Sequence, residues 1–173
     1  MTTNLSRPYL GELTFHSLMA NGFEAEIVNK PMLERYFECE RLALSPLYIL
    51  CDDDIILSSE TTLKQALRLM ESHHEISQLG LGWKPDMTSE RQSSWCLGEI
   101  SPDIWEFDHC GGCVIIRKGT VRDLGLSTAY PQGIGDDKVM GQTARKLGYK
   151  VGVAHKLFFH HLSTISTVWG KVA

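Results

Sequence analysis

The sequence predicts a single α/β domain with a mostly parallel central sheet flanked by helices. Three observations carry that expectation. Apolar segments of strand length alternate with segments of helical period along most of the chain. One of them, Leu47-Tyr48-Ile49-Leu50-Cys51, is largely apolar, as a strand buried on both faces should be. That segment runs straight into Asp52-Asp53-Asp54, and ligands bind at the carboxyl ends of strands in open α/β sheets. Three consecutive carboxylates repel one another and need a cation or a hydrogen-bonding ligand. An Asp-rich turn capping the next helix is the plainer alternative.

The chain's 173 residues suffice for one domain with a sizeable core. A formal net charge of −4 argues against a nucleic-acid partner and against an acidic membrane surface. No apolar run approaches the ~20 residues of a membrane span. The first eight residues hold no signal-peptide core, so the expected location is cytoplasmic. Five cysteines, an odd count, read as reduced thiols.

In chain order, residues 9–22 read as a helix closed by Asn21-Gly22. Residues 23–28 alternate like a strand, and the strand that should precede the first helix is reduced to the few residues around Thr2–Leu5. A second helix spans 32–44, with Leu33, Tyr36, Phe37 and Leu44 on its apolar side. After the Asp-terminated strand, Leu63, Ala66, Leu67 and Met70 mark a helix, and residues 76–83 a strand. Residues 84–109 read as a long functional loop in which Trp95 and Trp105 either pin the loop to the body or contact a ligand. Gly111-Gly112 precedes a strand at 114–116, and residues 117–126 form a short helix. The CxxC spacing of Cys110 and Cys113 has no second pair to complete a zinc site. Gly133-Ile134-Gly135-Asp136-Asp137 opens a helix that Gly148 closes. Residues 149–154 form a final strand, which His155 ends. An N-cap uses one acid, so two adjacent ones exceed that need. His155, His160 and His161 crowd the end of the last strand, which raises the odds of a metal ligand there.

Taken together, the Asp triplet, the glycine pair, the acid pair and the late histidines resemble the motif order of GT-A fold glycosyltransferases. The chain is most similar to the inverting, family-2-like branch, in an unusually short form with a truncated first strand. Tyr48–Asp54 resembles the DxD strand and Gly111–Arg117 the Gly-Gly strand below the donor sugar. Gly135-Asp136-Asp137 with Arg145–Lys150 resembles the Glu-Asp motif, its helix and the next strand. The resemblance implies one compact Rossmann-like domain, with residues 1–83 as the nucleotide-sugar and metal half and 84–173 as the acceptor half.

It also implies site roles. Asp54 would hold Mn²⁺ or Mg²⁺ directly. Asp52 would touch the ribose or the metal shell, and Asp53 is grouped with the donor-binding residues without a role of its own. His160 or His161 would complete the shell, with His160 narrowly preferred. Gly111 and Gly112 would lie under the sugar. Thr3, Arg7 and Asn29 would bind the nucleotide, and Arg41 either joins them or forms a surface ion pair. Asp137 would be the general base and Asp136 its orienting or acceptor-binding neighbour. The expected activity is transfer of a hexose from a nucleotide-diphosphate sugar, most readily a UDP-sugar, to a carbohydrate hydroxyl with inversion. The alternative is a non-catalytic nucleotide-sugar or carbohydrate-binding remnant of the same fold. A nucleotidyltransferase would need a Gly-rich basic loop near the N-terminus, and the sequence has none there. A metal phosphoesterase would scatter its ligands over several strand ends.

Overall fold

The computed structural model describes residues 8–28, 30, 33–59, 61–84, 94–125 and 135–161. The expected short strand around Thr2–Leu5 and the tail from 162 onward lie outside them.

Seven strands form one sheet: β1 (Leu47–Cys51), β2 (Ile55–Leu57), β3 (Ile76–Lys84), β4 (Cys96–Ser101), β5 (Ile104–Phe107), β6 (Cys113–Arg117) and β7 (Lys150–His161). Among the described residues five helices accompany them: α1 (Pro8–Ala20), α2 (Glu34–Leu42), α3 (Thr62–Ser72), α4 (Thr120–Asp123) and α5 (Asp136–Lys146). The sheet order is β1-β6-β3-β7-β5-β4, and β2 pairs with β7.

The domain is α/β as expected, but the sheet is mostly antiparallel rather than parallel. Among the described residues only β3 and β7 pair in parallel; the pairs β1–β6, β3–β6, β4–β5, β5–β7 and β2–β7 are antiparallel. The reason is an insertion. β1 and β3, joined through β2 and α3, run the same way, yet β6 slots between them in the opposite sense. Alternation along the chain reports how an element returns, not which strand becomes its neighbour.

Other expectations also change. The stretch 23–28 forms no strand beyond an isolated bridge at Val28, since among the described residues no ladder lies beside it. Residues 84–109 contain the hairpin β4–β5, turned at Pro102-Asp103, a pair of turn-favouring residues. α2 ends at Leu42, which leaves Leu44 exposed. β7 does not stop at His155: it continues to His161 past a register shift between Leu81 and Gly82.

The sheet is covered on both faces. Cys113 and Ile115 of β6 point into a cluster with Leu18, Ile55, Leu63, Met70 and Phe159, beneath α1 and α3. Val114 and Ile116 point the other way, onto Leu33, Tyr36, Met140 and Ala144 of α2 and α5. Two-sided burial explains why β1 and β6 are nearly continuous apolar runs.

Candidate functional site

β1 and β6 are antiparallel neighbours, so the end of one meets the start of the other. Cys51 pairs with Cys113, which places Asp52 beside Gly112, and the Asp52 amide donates to the Gly112 carbonyl at 2.8 Å. Cys110 is buried below Gly80, and Cys113 packs on Cys51 with Sγ···Sγ 3.0 Å; all five cysteines are free thiols.

Gly112 adopts φ +75°, and a Cβ there would come 2.6 Å from the Phe159 ring. Only glycine fits this turn without strain. At Gly111 a Cβ would come 2.7 Å from Asp137 Oδ2, so the glycine lets the start of α5 approach the sheet. There the Lys138 amide donates to Asp137 Oδ1 at 2.8 Å and the Asp137 amide to Asp136 Oδ1 at 3.1 Å. These contacts match the favourable placement of carboxylates at a helix start.

Arg35, in the first turn of α2, joins the two acidic motifs. Its Nη1 lies 3.1 Å from Asp52 Oδ1 and its Nε 2.7 Å from Asp136 Oδ2. Burial opposes the guanidinium's charge. The neighbouring Asp52 and Asp136 carboxylates outweigh that penalty and hold its pKa above the ordinary arginine value. Tyr36 beside it is fully enclosed; burial first and Asp136 second push its phenol well above the usual range, so it stays neutral.

Arg35, Tyr36, Leu50, Asp52, Gly111, Gly112, Val114, Asp136 and Asp137 surround one cavity of about 150 Å³. Five residues singled out by sequence therefore converge: Asp52, Gly111, Gly112, Asp136 and Asp137.

Asp53 and Asp54 are buried in the turn behind this cavity. That turn is clasped by the buried Thr14 of α1, whose Oγ1 donates to the Ile55 carbonyl at 2.8 Å and accepts from the Ile55 amide at 2.9 Å. The β2–β7 register sets His161 opposite Ile55 and His160 opposite Ile56. The His160 side chain is exposed, and the His161 side chain lies outside the described residues. Among the described residues no three His, Cys, Asp or Glu side chains gather as a metal shell. His155 stacks on Trp105, with ring centres 4.2 Å apart. Arg41 is an exposed partner of Glu38 at 2.6 Å, the surface ion pair its alternative reading allowed. Thr3, Arg7 and Asn29 lie outside the described residues.

Sequence reasoning missed Arg35 and Thr14. A signal for Arg35 existed. α2 leads into β1 and packs back on it, so its first turn lies at the carboxyl end of β1, where Asp52 stands. Arg41 in the last turn is about 9 Å further along the axis, at 1.5 Å per residue.

No family model and no curated protein matches the chain. Solved structures do. S. aureus TarS in complex with UDP-GlcNAc superposes with a TM-score of 0.61 at 14% identity, over 92% of this chain and 56% of that one. The mannosyltransferase PcManGT from Pyrobaculum calidifontis, in complex with GDP-Man and Mn²⁺, gives 0.55 at 14% identity over 79% and 39%. The inositol-1-phosphate CTP transferase from T. maritima gives 0.54 at 18% identity over 92% and 67%. The chain thus has the fold shared by GT-A-type glycosyltransferases and nucleotidyltransferases, and spans about half or less of the two glycosyltransferases. No described helix is long and apolar enough to cross a membrane.

Proposed function

We propose that this chain is a metal-dependent glycosyltransferase of the inverting type, moving a hexose from a nucleotide-diphosphate sugar to an acceptor hydroxyl. UDP-sugars are the first donors to test. The observation that carries this reading is the bridge Asp52–Arg35–Asp136 over the Gly111-Gly112 turn. In this reading the bridge would couple a nucleotide-sugar half, residues 1–83, to an acceptor half, residues 84–173.

Within the proposal, Asp137 takes the acceptor proton. Asp136 is committed to Arg35 at 2.7 Å, whereas Asp137 has no salt bridge among the described residues and its Oδ2 faces Gly111. Proton removal by a positioned carboxylate is a standard contribution to such a displacement. The glycine pair keeps the floor of the cavity free of side chains.

The donor chemistry fits a hard divalent cation. Carboxylate oxygens are the ligands Mg²⁺ and Mn²⁺ prefer; of the Asp triplet, Asp52 lines the cavity and Asp54 lies buried in the turn behind it. Asp54 and Asp52 would hold the ion. His160 or His161 would complete the shell; the register sets their backbone opposite Ile56 and Ile55, next to the Asp turn. When bound, such an ion offsets the charge of a departing diphosphate. PcManGT, a fold neighbour, was solved with GDP-Man and Mn²⁺, which supports the same kind of cofactor.

The fold match to a CTP transferase favours one second reading, nucleotidyl transfer. A single assay separates the two. The protein is incubated with nucleotide sugars, and separately with nucleoside triphosphates and sugar phosphates, in Mn²⁺, Mg²⁺ or EDTA. Metal-dependent release of nucleoside diphosphate supports glycosyl transfer, and release of pyrophosphate supports the second reading. Binding of nucleotide sugars with no turnover under any condition would mark a binding remnant.

A further inference from the structure

The cavity between the two acidic motifs is small. Its volume of about 150 Å³ lies below the roughly 300–1,000 Å³ of a pocket that encloses a whole ligand. It can enclose one compact group of a nucleotide sugar, with the nucleotide outside it. Given the function proposed above, on which this inference rests, that group is the sugar, because it must lie between donor-side Asp52 and acceptor-side Asp137.

The lining then decides which sugars fit. Leu50 and Val114 form its apolar part and Gly111-Gly112 its floor. Its charged groups are three carboxylates, Asp52, Asp136 and Asp137, and one guanidinium, Arg35. The guanidinium is already held between Asp52 at 3.1 Å and Asp136 at 2.7 Å. A sugar hydroxyl entering this space can donate to carboxylate oxygens, which are acceptors only. A sugar carboxylate cannot donate. Apart from the neutral Tyr36 phenol, the lining side chains offer it only Arg35 as a donor, so it must either displace an aspartate from Arg35 or sit beside carboxylates of its own sign.

We infer that the site selects an uncharged hexosyl group and rejects the corresponding hexuronosyl group, with Arg35 setting the selection because Asp52 and Asp136 already occupy it. At about 6 Å, and with screening intermediate between protein and water, each uncompensated carboxylate weakens binding of a second anion by roughly tenfold. Asp136 is the residue whose charge matters most, since removing it lowers the negative charge and releases one arm of Arg35.

Matched donor pairs test this by direct binding, without turnover. UDP-glucose is compared with UDP-glucuronate, and GDP-mannose with GDP-mannuronate, by calorimetry in Mn²⁺. Within each pair the nucleotide and ring stereochemistry are constant. The expected result is that the neutral member of the bound pair binds at least tenfold more tightly. Asp136→Asn should narrow the gap by about tenfold, chiefly by improving uronate binding, and a thermal melt confirms that the variant is folded. Asp137→Asn, which removes an equal charge but leaves Arg35 engaged, should narrow it by no more than that. Equal or tighter binding of the uronate by the wild-type protein would overturn the inference while leaving the proposed function standing. Failure of every nucleotide sugar to bind would remove the proposed function, and this inference with it.

Discussion

Arg35 Nε stands 2.7 Å from Asp136 Oδ2, across the gap between a helix that precedes the Asp triplet and a helix that begins one hundred residues later in the chain. Its other arm reaches Asp52. The planar fork of arginine suits this double contact and the single ammonium of lysine does not. Arg35→Lys should therefore keep most of the stability and lose about 100-fold in transfer, the scale expected from misplaced catalytic groups. Arg35→Met should also cost roughly 3 kcal/mol in denaturant unfolding, because the buried Asp136 and the half-buried Asp52 would lose their shared partner. Similar transfer rates for Arg35→Lys and wild type would show that the bridge is structural only.

The two adjacent glycines should fail in different ways. Gly112→Ala forces a side chain into a φ +75° turn against Phe159, at a cost of about 2–4 kcal/mol from strain and overpacking. At Gly111 no such φ is imposed, and the nearest atom is the Asp137 carboxylate. Gly111→Ala should cost about 1 kcal/mol or less while lowering transfer by about 100-fold, as Asp137 shifts. Urea melts and nucleoside diphosphate release on both variants make the comparison.

The sequence showed the order of the site before any geometry did. Asp52, Gly111-Gly112 and Asp136-Asp137 were legible because carboxylates at a strand end and paired glycines before a strand conflict with plain structural roles. Arg35 was not legible in the same way, since Glu34-Arg35 reads as the solvated start of an amphipathic helix. Arg41 drew attention in its place, although it sits at the wrong end of α2. The antiparallel sheet was hidden because β6 enters between β1 and β3 from a distant part of the chain, and local pattern carries no record of spatial neighbours. The β4–β5 hairpin hid inside a stretch with little periodicity, and its signal was the Pro102-Asp103 turn.

Thr14 ties α1 to the Asp turn through both polar groups of the Ile55 backbone. Thr14→Val keeps the shape and removes both bonds, leaving a buried amide and carbonyl unsatisfied. We expect a loss of about 2–3 kcal/mol in stability. Weaker Mn²⁺-dependent binding of nucleotide should accompany it, measured by calorimetry.

Asp108 anchors the segment before the glycine pair to α5, accepting from Gln142 at 3.0 Å and from Arg145 at 2.8 Å. Burial raises its pKa, but the bonds from Gln142, His109 and Arg145 outweigh burial and hold it below the ordinary aspartate value. The stabilisation is therefore fully present above the unfolded-state pKa of about 3.9 and is lost as pH falls through the lower folded value. Asp108→Asn should cost roughly 1.5 kcal/mol at pH 7, and the difference from wild type should shrink below about pH 4. Unfolding curves of both proteins between neutral and acid pH check this.

Gly141 of α5 packs so closely on the same segment that a Cβ would come 2.6 Å from the His109 Cα, so this anchoring leaves no slack in how α5 presents its acid pair. The second acid of that pair is the proposed general base. Asp137→Asn, assayed with the donor that wild type turns over, is the most direct measurement of that role. Nucleoside diphosphate release with acceptor should fall at least about 100-fold while donor affinity changes less than about threefold. Transfer at the wild-type rate by Asp137→Asn would contradict that role.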